Sequence, residues 1–206
     1  MPLVYKMEGD FFQLGLWKIE EEVSFFESAL AFRASAANQE RAKQQLAARM
    51  ALQSIHGNFP FSQVELLEGG KPFLRNNESK FSLSHCNGFA AAIISSEKEV
   101  GIDIEPIHER VLKVERKFLS EHELNLLESA EDMQRVVYST LFWSLKETMF
   151  KWWGKGGVDF SKEIQIIKFE NNNLGMAEMK FSKLPNEVFK LSYFRFEDIW
   201  ISLLCK

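Results

Sequence analysis

Residues 100–106 read VGIDIEP, an apolar run that carries two acids separated by one residue. Val and Ile favour extended backbone and proline cannot continue a strand ladder, so the run predicts a buried strand that ends at its proline. Residues two apart in a strand point to the same side, which places Asp103 and Glu105 on one face and Ile102 and Ile104 on the other. Two like charges on an apolar strand are costly to desolvate, and a divalent cation held by oxygen ligands would compensate them. The same pattern is also typical of an edge strand that turns one polar face to water.

A second informative stretch is residues 133–153, whose composition predicts a long helix stopped by a glycine-rich segment. On this helix Trp143, Glu147 and Lys151 recur every four residues and form one stripe, with Lys146 close to it. A carboxylate flanked by lysines and an aromatic ring suits a site for a metal and phosphates. Taken alone, Glu147 and Lys151 also fit an exposed ion pair on a solvated helix face. Combined with the acidic strand, Glu147 favours the prediction of a three-carboxylate magnesium site.

Composition limits the class of protein. The chain has 206 residues, of which 46% are hydrophobic and 26% charged, as is ordinary for one domain or two small halves that share a core. The net charge of −4 argues against broad binding of nucleic acid. The two cysteines lie far apart in sequence, which fits a reduced cytoplasm better than a disulfide. The N-terminal residues do not resemble a signal peptide, and no apolar run approaches the roughly 20 residues of a membrane span.

Turn residues and apolar periodicity predict the remaining elements. Strands are predicted over residues 14–19, 81–84, 89–94, 100–104, 164–169, 176–181, 189–196 and 199–204, and helices over 38–55, 120–127 and 133–153. The strands 89–94 and 100–104 are expected to pair as a hairpin, and Ser120 with Glu123 forms a capping-box pattern at a helix start. Because a helix followed by strands occurs in each half, the pattern predicts an α+β protein of two comparable lobes.

The motifs in combination resemble the 4′-phosphopantetheinyl transferase superfamily, in particular its single-chain type that activates carrier proteins in bacteria. The two main motifs are GIDIE at 101–105 and WSLKETMFK at 143–151. Supporting segments are GKP at 70–72, FSLSH at 81–85, KFLS at 117–120 with Glu123, and the helix around 41–49, so that the resemblance covers about residues 14–160. The chain departs from the family's usual residues at Ser82, Cys86 and Thr148, which are small changes beside the chemistry.

The resemblance implies an α+β fold of two similar α/β lobes in one chain, about residues 1–100 and 101–206, related by a pseudo-twofold axis with the active site at their interface. The family transfers the 4′-phosphopantetheine of coenzyme A to a serine of an apo acyl or peptidyl carrier protein and releases adenosine 3′,5′-bisphosphate. The resemblance thus implies Mg²⁺ as cofactor, coenzyme A as substrate, an apo carrier protein as partner, and a cytoplasmic monomer serving fatty acid or polyketide biosynthesis.

The resemblance also assigns roles to individual residues. Asp103, Glu105 and Glu147 would hold Mg²⁺ against the pyrophosphate, and Glu147 would act as general base for the serine, directly or through a water. Lys151 would stabilise charge on the transferring phosphate, and His85 would hydrogen-bond a phosphate oxygen. Contacts to coenzyme A are expected at Lys71, Ser84, His85, Arg49, Arg41 and Lys151. Read in isolation, His85 also fits a hydrogen-bonded loop histidine, and Lys71 fits an ordinary surface turn.

Two other functions remain open at this point. A different magnesium-dependent phosphoryl or nucleotidyl enzyme would keep the three carboxylates but would need no surface for a carrier protein. A non-catalytic binding module would simply solvate its acidic face. Consumption of coenzyme A only in the presence of a carrier protein would argue against the first alternative. Absence of Mg²⁺ and coenzyme A binding in calorimetry would favour the second.

Overall fold

The computed structural model describes residues 2–33, 38–76, 78–128 and 131–206. Its strands are β1 Leu3–Glu8, β2 Gln13–Lys18, β3 Val64–Leu66, β4 Pro72–Leu74, β5 Lys80–Cys86, β6 Phe89–Ser95, β7 Val100–Pro106, β8 Ile164–Phe169, β9 Leu174–Phe181, β10 Val188–Phe196 and β11 Ile199–Cys205. Its α-helices are α1 Val23–Leu30, α2 Gln39–His56, α3 Glu115–Phe118, α4 Glu121–Leu127, α5 Asp132–Trp153 and α6 Phe160–Glu163. Short 3₁₀ helices cover Phe61–Gln63 and Glu109–Lys113.

Most strands belong to two larger antiparallel sheets. Helices pack against these sheets, as in an α+β fold. One sheet has the strand order β1-β2-β6-β5 and the other the order β7-β11-β10-β9-β8, while β3 and β4 form a small separate pair. Helix α2 packs on the first sheet and helix α5 on the second. A third apolar cluster joins β2 and β6 of the first sheet to β7 and β11 of the second.

Local signals set the ends of the two long helices. Asn38 caps α2 by accepting hydrogen bonds from the backbone N–H groups of Glu40 and Arg41, and Gly57 follows its last residue. Helix α5 ends at Gly154, whose φ of 70° is a left-handed conformation that favours glycine. The capping box of Ser120 and Glu123 is present at the start of α4. These three helices confirm the sequence predictions to within a few residues.

The prediction that strands 89–94 and 100–104 pair as a hairpin is wrong. Strand β6 pairs with β2 on one side and β5 on the other, whereas β7 pairs with β11 in the second sheet. Both edges of β6 are therefore occupied, and the chain crosses between the sheets at residues 96–99. Because both strands are buried on both faces, their apolar patterns could not distinguish pairing within a sheet from packing between sheets.

The edge strands β5 and β7 meet through serine side chains rather than through a ladder. The hydroxyl of Ser82 accepts a hydrogen bond of 3.2 Å from the backbone N–H of Ile102. The hydroxyl of Ser84 accepts an equivalent bond of 3.2 Å from Ile104. The buried backbone donors of β7 are satisfied in this way, and the acidic strand is held at a defined place against the first sheet.

Candidate active site

Strand β7 and helix α5 lie in direct backbone contact. A Cβ atom added at Gly101 would lie 2.4 Å from the carbonyl oxygen of Thr148 and 2.9 Å from the backbone nitrogen of Trp152. Only glycine allows so close an approach, and the approach brings the acids of the strand beside Glu147 and Lys151 of the helix.

Asp103 is the buried centre of the site, with a relative exposure of 2%. Its Oδ1 atom accepts a 2.6 Å bond from the ammonium of Lys151 and a 3.0 Å bond from the hydroxyl of Ser84. Lys151 also donates to Ser84 at 2.8 Å. The other oxygen, Oδ2, is buried and has no hydrogen-bond partner within the described residues. An orphaned carboxylate oxygen of this kind indicates a position for a further ligand.

Glu105 lies two residues along the same face and is oriented by Trp143. The indole Nε1 of Trp143 donates a 2.9 Å hydrogen bond to Oε1 of Glu105. The Trp143 ring is itself held between Phe118 and Phe160, at ring-centroid distances of 5.0 Å and 5.6 Å. Burial and the charge of Asp103 raise the pKa of Glu105 to about 7, although the Trp143 hydrogen bond opposes the rise. Trp143 thus positions Glu105, a candidate metal ligand. The sequence did not reveal this hydrogen bond.

Glu147 supplies the third carboxylate from α5. Burial, followed by the charge of Asp103, raises the pKa of Glu147 to about 7, while Lys151 lowers it. Burial, followed by Glu105 and Asp103, also raises the pKa of the Cys86 thiol to about 12, so the neutral thiol lies in the same negative field. A cluster of carboxylates that resist ionisation near neutral pH is characteristic of a functional site.

Lys146 does not belong to this stripe, contrary to the sequence interpretation. Its ammonium is fully buried and lies 2.7 Å from Oε2 of Glu123, which is equally buried. It also donates to the carbonyl oxygens of Phe118, Phe160 and Ile164. Lys146 therefore ties α5 to the segments around it instead of facing a ligand.

A cavity of about 710 Å³ opens beside this cluster. The basic or imidazole side chains that line it are Arg41, Arg49, Lys71, His85 and Lys151. Aromatic rings of Phe32, Phe61, Phe81 and Phe150 line it as well, and none of its described lining residues is Asp or Glu. Its charge and apolar walls suit a polyanion that carries a flat ring. Lys151 belongs both to this cavity and to the carboxylate cluster.

Most of the residues that were expected to contact coenzyme A line this cavity, but Ser84 does not. Burial, followed by Lys151 and Arg41, lowers the pKa of His85. Arg49 has a pKa lowered by burial and stacks on the Phe32 ring at 4.8 Å from its centroid. Ser84 is buried, and its hydroxyl is already engaged by Asp103, Lys151 and the backbone of β7.

Lys71 lies between this cavity and a smaller one of about 360 Å³. Its ammonium donates to Oε2 of Glu99 at 3.0 Å and to the carbonyl oxygen of Trp152 at 2.9 Å. Glu99 also lies 3.6 Å from Lys80. Lys71, which was predicted to contact a ligand, is therefore bound to the carboxylate of Glu99. No sequence pattern indicated this pair.

The donor set is compatible with a hard divalent cation without forming a finished metal centre. In the part of the chain that the structure describes, no three His, Cys, Asp or Glu side chains are grouped closely enough to hold an ion. The charges of Asp103 and Glu147 nevertheless both act on Glu105, one oxygen of Asp103 has no hydrogen-bond partner within the described residues, and the pKa values of Glu105 and Glu147 are raised. Oxygen ligands of this kind fit Mg²⁺.

Comparison with known proteins shows the superfamily of this chain. A family model of the 4′-phosphopantetheinyl transferase superfamily matches residues 99–201, half of the chain, and this range includes the acidic strand and helix α5. The chain belongs to this superfamily.

Named relatives agree with this membership. The chain is 36% identical over 89 residues to the 4′-phosphopantetheinyl transferase gsp of Aneurinibacillus migulanus, a match that covers 43% of this chain and 37% of the relative. It is 31% identical over 90 residues to a 4′-phosphopantetheinyl transferase of Bacillus subtilis, covering 43% and 40% respectively. It is 34% identical over 100 residues to the 4′-phosphopantetheinyl transferase psf-1 of Bacillus pumilus, covering 47% and 42%. The matched segment therefore spans about two fifths of these relatives' length.

Proposed function

We propose that the protein transfers the 4′-phosphopantetheine of coenzyme A to a serine of an apo acyl or peptidyl carrier protein, giving holo carrier protein and adenosine 3′,5′-bisphosphate. The observation that carries the proposal is the position of Lys151. This residue joins a basic cavity, free of acids among its described lining residues, to a buried carboxylate cluster. A pyrophosphate with its nucleotide in the cavity would present its phosphorus beside those carboxylates.

The chemistry is attack of a hydroxyl on a pyrophosphate phosphorus, so the site must position both groups, neutralise charge and accept a proton. Asp103, Glu105 and Glu147 would hold Mg²⁺, which supplies charge neutralisation on the phosphate oxygens when bound. A pKa of about 7 suits Glu147 to accept the serine proton, directly or through a water. Lys151 would donate to the oxygens that gain charge during transfer.

The remaining cavity residues would bind the nucleotide half of coenzyme A. Arg41, Arg49 and Lys71 offer donors for phosphate oxygens, and His85 has imidazole nitrogens in the same cavity. Lys71 would exchange its bond to Glu99 for one to a phosphate. Ser84 would act by orienting Asp103 and Lys151, since its hydroxyl bonds to both.

At the level of the whole chain, we propose two similar α/β lobes, about residues 1–100 and 101–206, related by a pseudo-twofold axis with the site between them. Each of the two larger sheets carries one long helix, which supports this description. We further propose a cytoplasmic monomer that serves fatty acid or polyketide synthesis without a nucleic-acid or membrane partner. No helix in the described ranges has both the length and the apolar character of a membrane span.

The decisive experiment incubates the protein with coenzyme A, Mg²⁺ and several apo carrier proteins, and then measures carrier mass. A mass increase equal to one phosphopantetheine, absent without Mg²⁺, is the expected result. Release of adenosine 3′,5′-bisphosphate should match it mole for mole. Consumption of coenzyme A without any carrier would instead indicate a phosphoryl or nucleotidyl enzyme acting on a small molecule.

A further inference from the structure

Lys71 is shared by the two cavities and is already paired with an acid. Its ammonium donates to Oε2 of Glu99 at 3.0 Å and to the carbonyl oxygen of Trp152 at 2.9 Å. Glu99 lines the smaller cavity and is not among the described residues that line the larger one. A ligand in the larger cavity and the carboxylate of Glu99 would therefore reach the same ammonium from two different cavities.

The position of the Lys71 ammonium is fixed by the end of helix α5. The side chain of Lys71 is only 11% exposed. Trp152 lies in the last turn of the helix, where carbonyl groups lack partners within the helix and attract a cation. A Cβ atom added at Gly154 would lie 2.4 Å from Cδ of Lys71, so the glycine leaves room for the lysine stem. Exchange of Glu99 for a phosphate oxygen can thus take place while the ammonium stays at the helix end.

Glu99 can leave Lys71 at low cost. Its side chain is 45% exposed, and its Oε1 atom lies 3.6 Å from the ammonium of Lys80. Its backbone carbonyl accepts a 2.9 Å hydrogen bond from the N–H of Lys206, which holds the residue in place. A Glu99 carboxylate released from Lys71 would remain hydrated and beside a second cation. The exchange therefore leaves no buried charge without a partner.

The acidic partner distinguishes Lys71 from the other bases of the larger cavity. Three of them are proposed to bind the nucleotide half of coenzyme A: Arg41, Arg49 and Lys71. Within the described part of the chain, Lys71 alone among these three forms an ion pair with an acid. An ammonium paired with a carboxylate attracts a further anion less strongly than a lone ammonium does, because the two charges oppose each other.

We infer that Glu99 is a positioning residue that competes with the phosphates of coenzyme A for Lys71 and so limits the affinity of the site for the nucleotide. This inference rests on the proposed function, because it concerns the coenzyme A site. The product adenosine 3′,5′-bisphosphate keeps the nucleotide half of the substrate. Glu99 therefore competes with the product as well and favours its release.

The test measures binding to the full chain by calorimetry, with coenzyme A and with adenosine 3′,5′-bisphosphate, each in the presence of Mg²⁺ and without a carrier protein. Glu99→Gln removes the charge but keeps an oxygen acceptor for Lys71. Glu97→Gln is the matched control, because Glu97 is exposed in the same connection between β6 and β7. Lys71→Gln keeps a donor for the Trp152 carbonyl, and the double variant Lys71→Gln, Glu99→Gln completes a double-mutant cycle. Circular dichroism checks the fold of each variant.

Glu99→Gln should lower the Kd of both nucleotides about fivefold, as expected for the removal of one competing partly exposed charge. Glu97→Gln should change either Kd by less than about 1.5-fold, because an exposed charge without a close partner is screened. In the Lys71→Gln background, the change at Glu99 should also have an effect below about 1.5-fold. With an apo carrier present, Glu99→Gln should lower KM for coenzyme A and strengthen inhibition by the bisphosphate, while KM for the carrier stays the same.

An unchanged or raised Kd in Glu99→Gln would overturn the inference, because Glu99 would then only orient Lys71. Equal tightening in Glu97→Gln would also overturn it, as would a full effect of Glu99→Gln when Lys71 is already Gln. If the wild type binds both nucleotides but modifies no carrier, the proposed function fails and the comparison of Kd values still decides the role of Glu99. A wild type that binds neither nucleotide would refute both.

Discussion

The ammonium of Lys151 lies 2.6 Å from the Oδ1 atom of Asp103, so the buried acid of strand β7 and the last basic residue of the helical stripe form an ion pair. The side chain of Asp103 is almost fully buried, whereas that of Lys151 is about a quarter exposed at 27% and lines the basic cavity. Asp103 is thus held in the interior, whereas Lys151 faces the basic cavity.

Replacing Lys151 by Met should reduce kcat about a hundredfold or more, because the variant loses the donor that we propose for the transferring phosphate. Glu147 should also be harder to ionise, since Lys151 lowers its pKa. Steady-state kinetics with coenzyme A and an apo carrier measures the effect. Lys190→Met, at an exposed position of β10, is the control and should leave kcat unchanged. A kcat for Lys151→Met close to that of wild type would remove Lys151 from the reaction.

The metal-free protein should lose stability as pH rises from about 4.5 to about 7. Burial raises the pKa of Glu147 from 4.5 to about 7, so the unfolded chain releases this proton first and the free energy of unfolding falls with increasing pH across that window. Glu147→Gln should therefore stabilise the protein at pH 8, on the order of 2 kcal/mol, and have little effect at pH 4. Thermal melts at the two pH values check this. A destabilised variant at pH 8 would contradict the assigned pKa.

Mg²⁺ gives an independent measurement at the same position. A cation that binds the folded state alone raises the melting temperature with its concentration. The rise at pH 8 should be clear for wild type and much smaller for Glu147→Gln, because the variant lacks one of the three charged ligands that we propose. Equal rises in both proteins would mean that Glu147 does not take part in binding the cation.

Trp143→Phe should shift the pH profile of transfer towards higher pH. The substitution keeps an aromatic ring between Phe118 and Phe160 but removes the hydrogen bond that lowers the pKa of Glu105. Loss of one positioned hydrogen bond should lower kcat about tenfold. The profile of kcat against pH is the informative measurement, because a merely structural role for Trp143 would lower the rate without moving the profile.

Lys146→Met should destabilise the protein by about 3–5 kcal/mol, because it leaves the Glu123 carboxylate buried without its cation. Urea unfolding measures the change. The double variant Lys146→Met, Glu123→Gln should lose less than the sum of the two single changes, since the unpaired charge is gone. Lys162→Met removes a lysine that is 80% exposed and should change stability by less than about 0.5 kcal/mol. Additive effects in the double variant would contradict the buried pair.

The sequence predicts the elements that depend on local signals. The acidic strand, the long helix α5 and the capping box at Ser120 follow from short-range periodicity and capping, and each is present. Strand β1 and helix α1 were not predicted. The alternating exposure of β1 is that of a weakly apolar edge strand, and α1 is only eight residues long.

Relationships between distant segments could not be predicted in the same way. Whether β6 pairs with β7 depends on which strands occupy the edges of β6, and those strands come from other parts of the chain. Helical spacing placed Lys146 near the stripe of Glu147, but it could not reveal an acid 23 residues earlier that buries the ammonium. The bond between Trp143 and Glu105 spans 38 residues and has no signature in either motif alone.

The contact at Gly101 has a consequence for how this protein could be altered. At Gly101 the approach of strand β7 to helix α5 is limited chiefly by main-chain atoms of Thr148 and Trp152. Residues of the basic cavity that lie away from Gly101 do not set this distance. Changes to the cavity at positions such as Arg41 and Arg49 would therefore leave this backbone contact in place, whereas a change at Lys151 would alter the cavity and the Asp103 ion pair together.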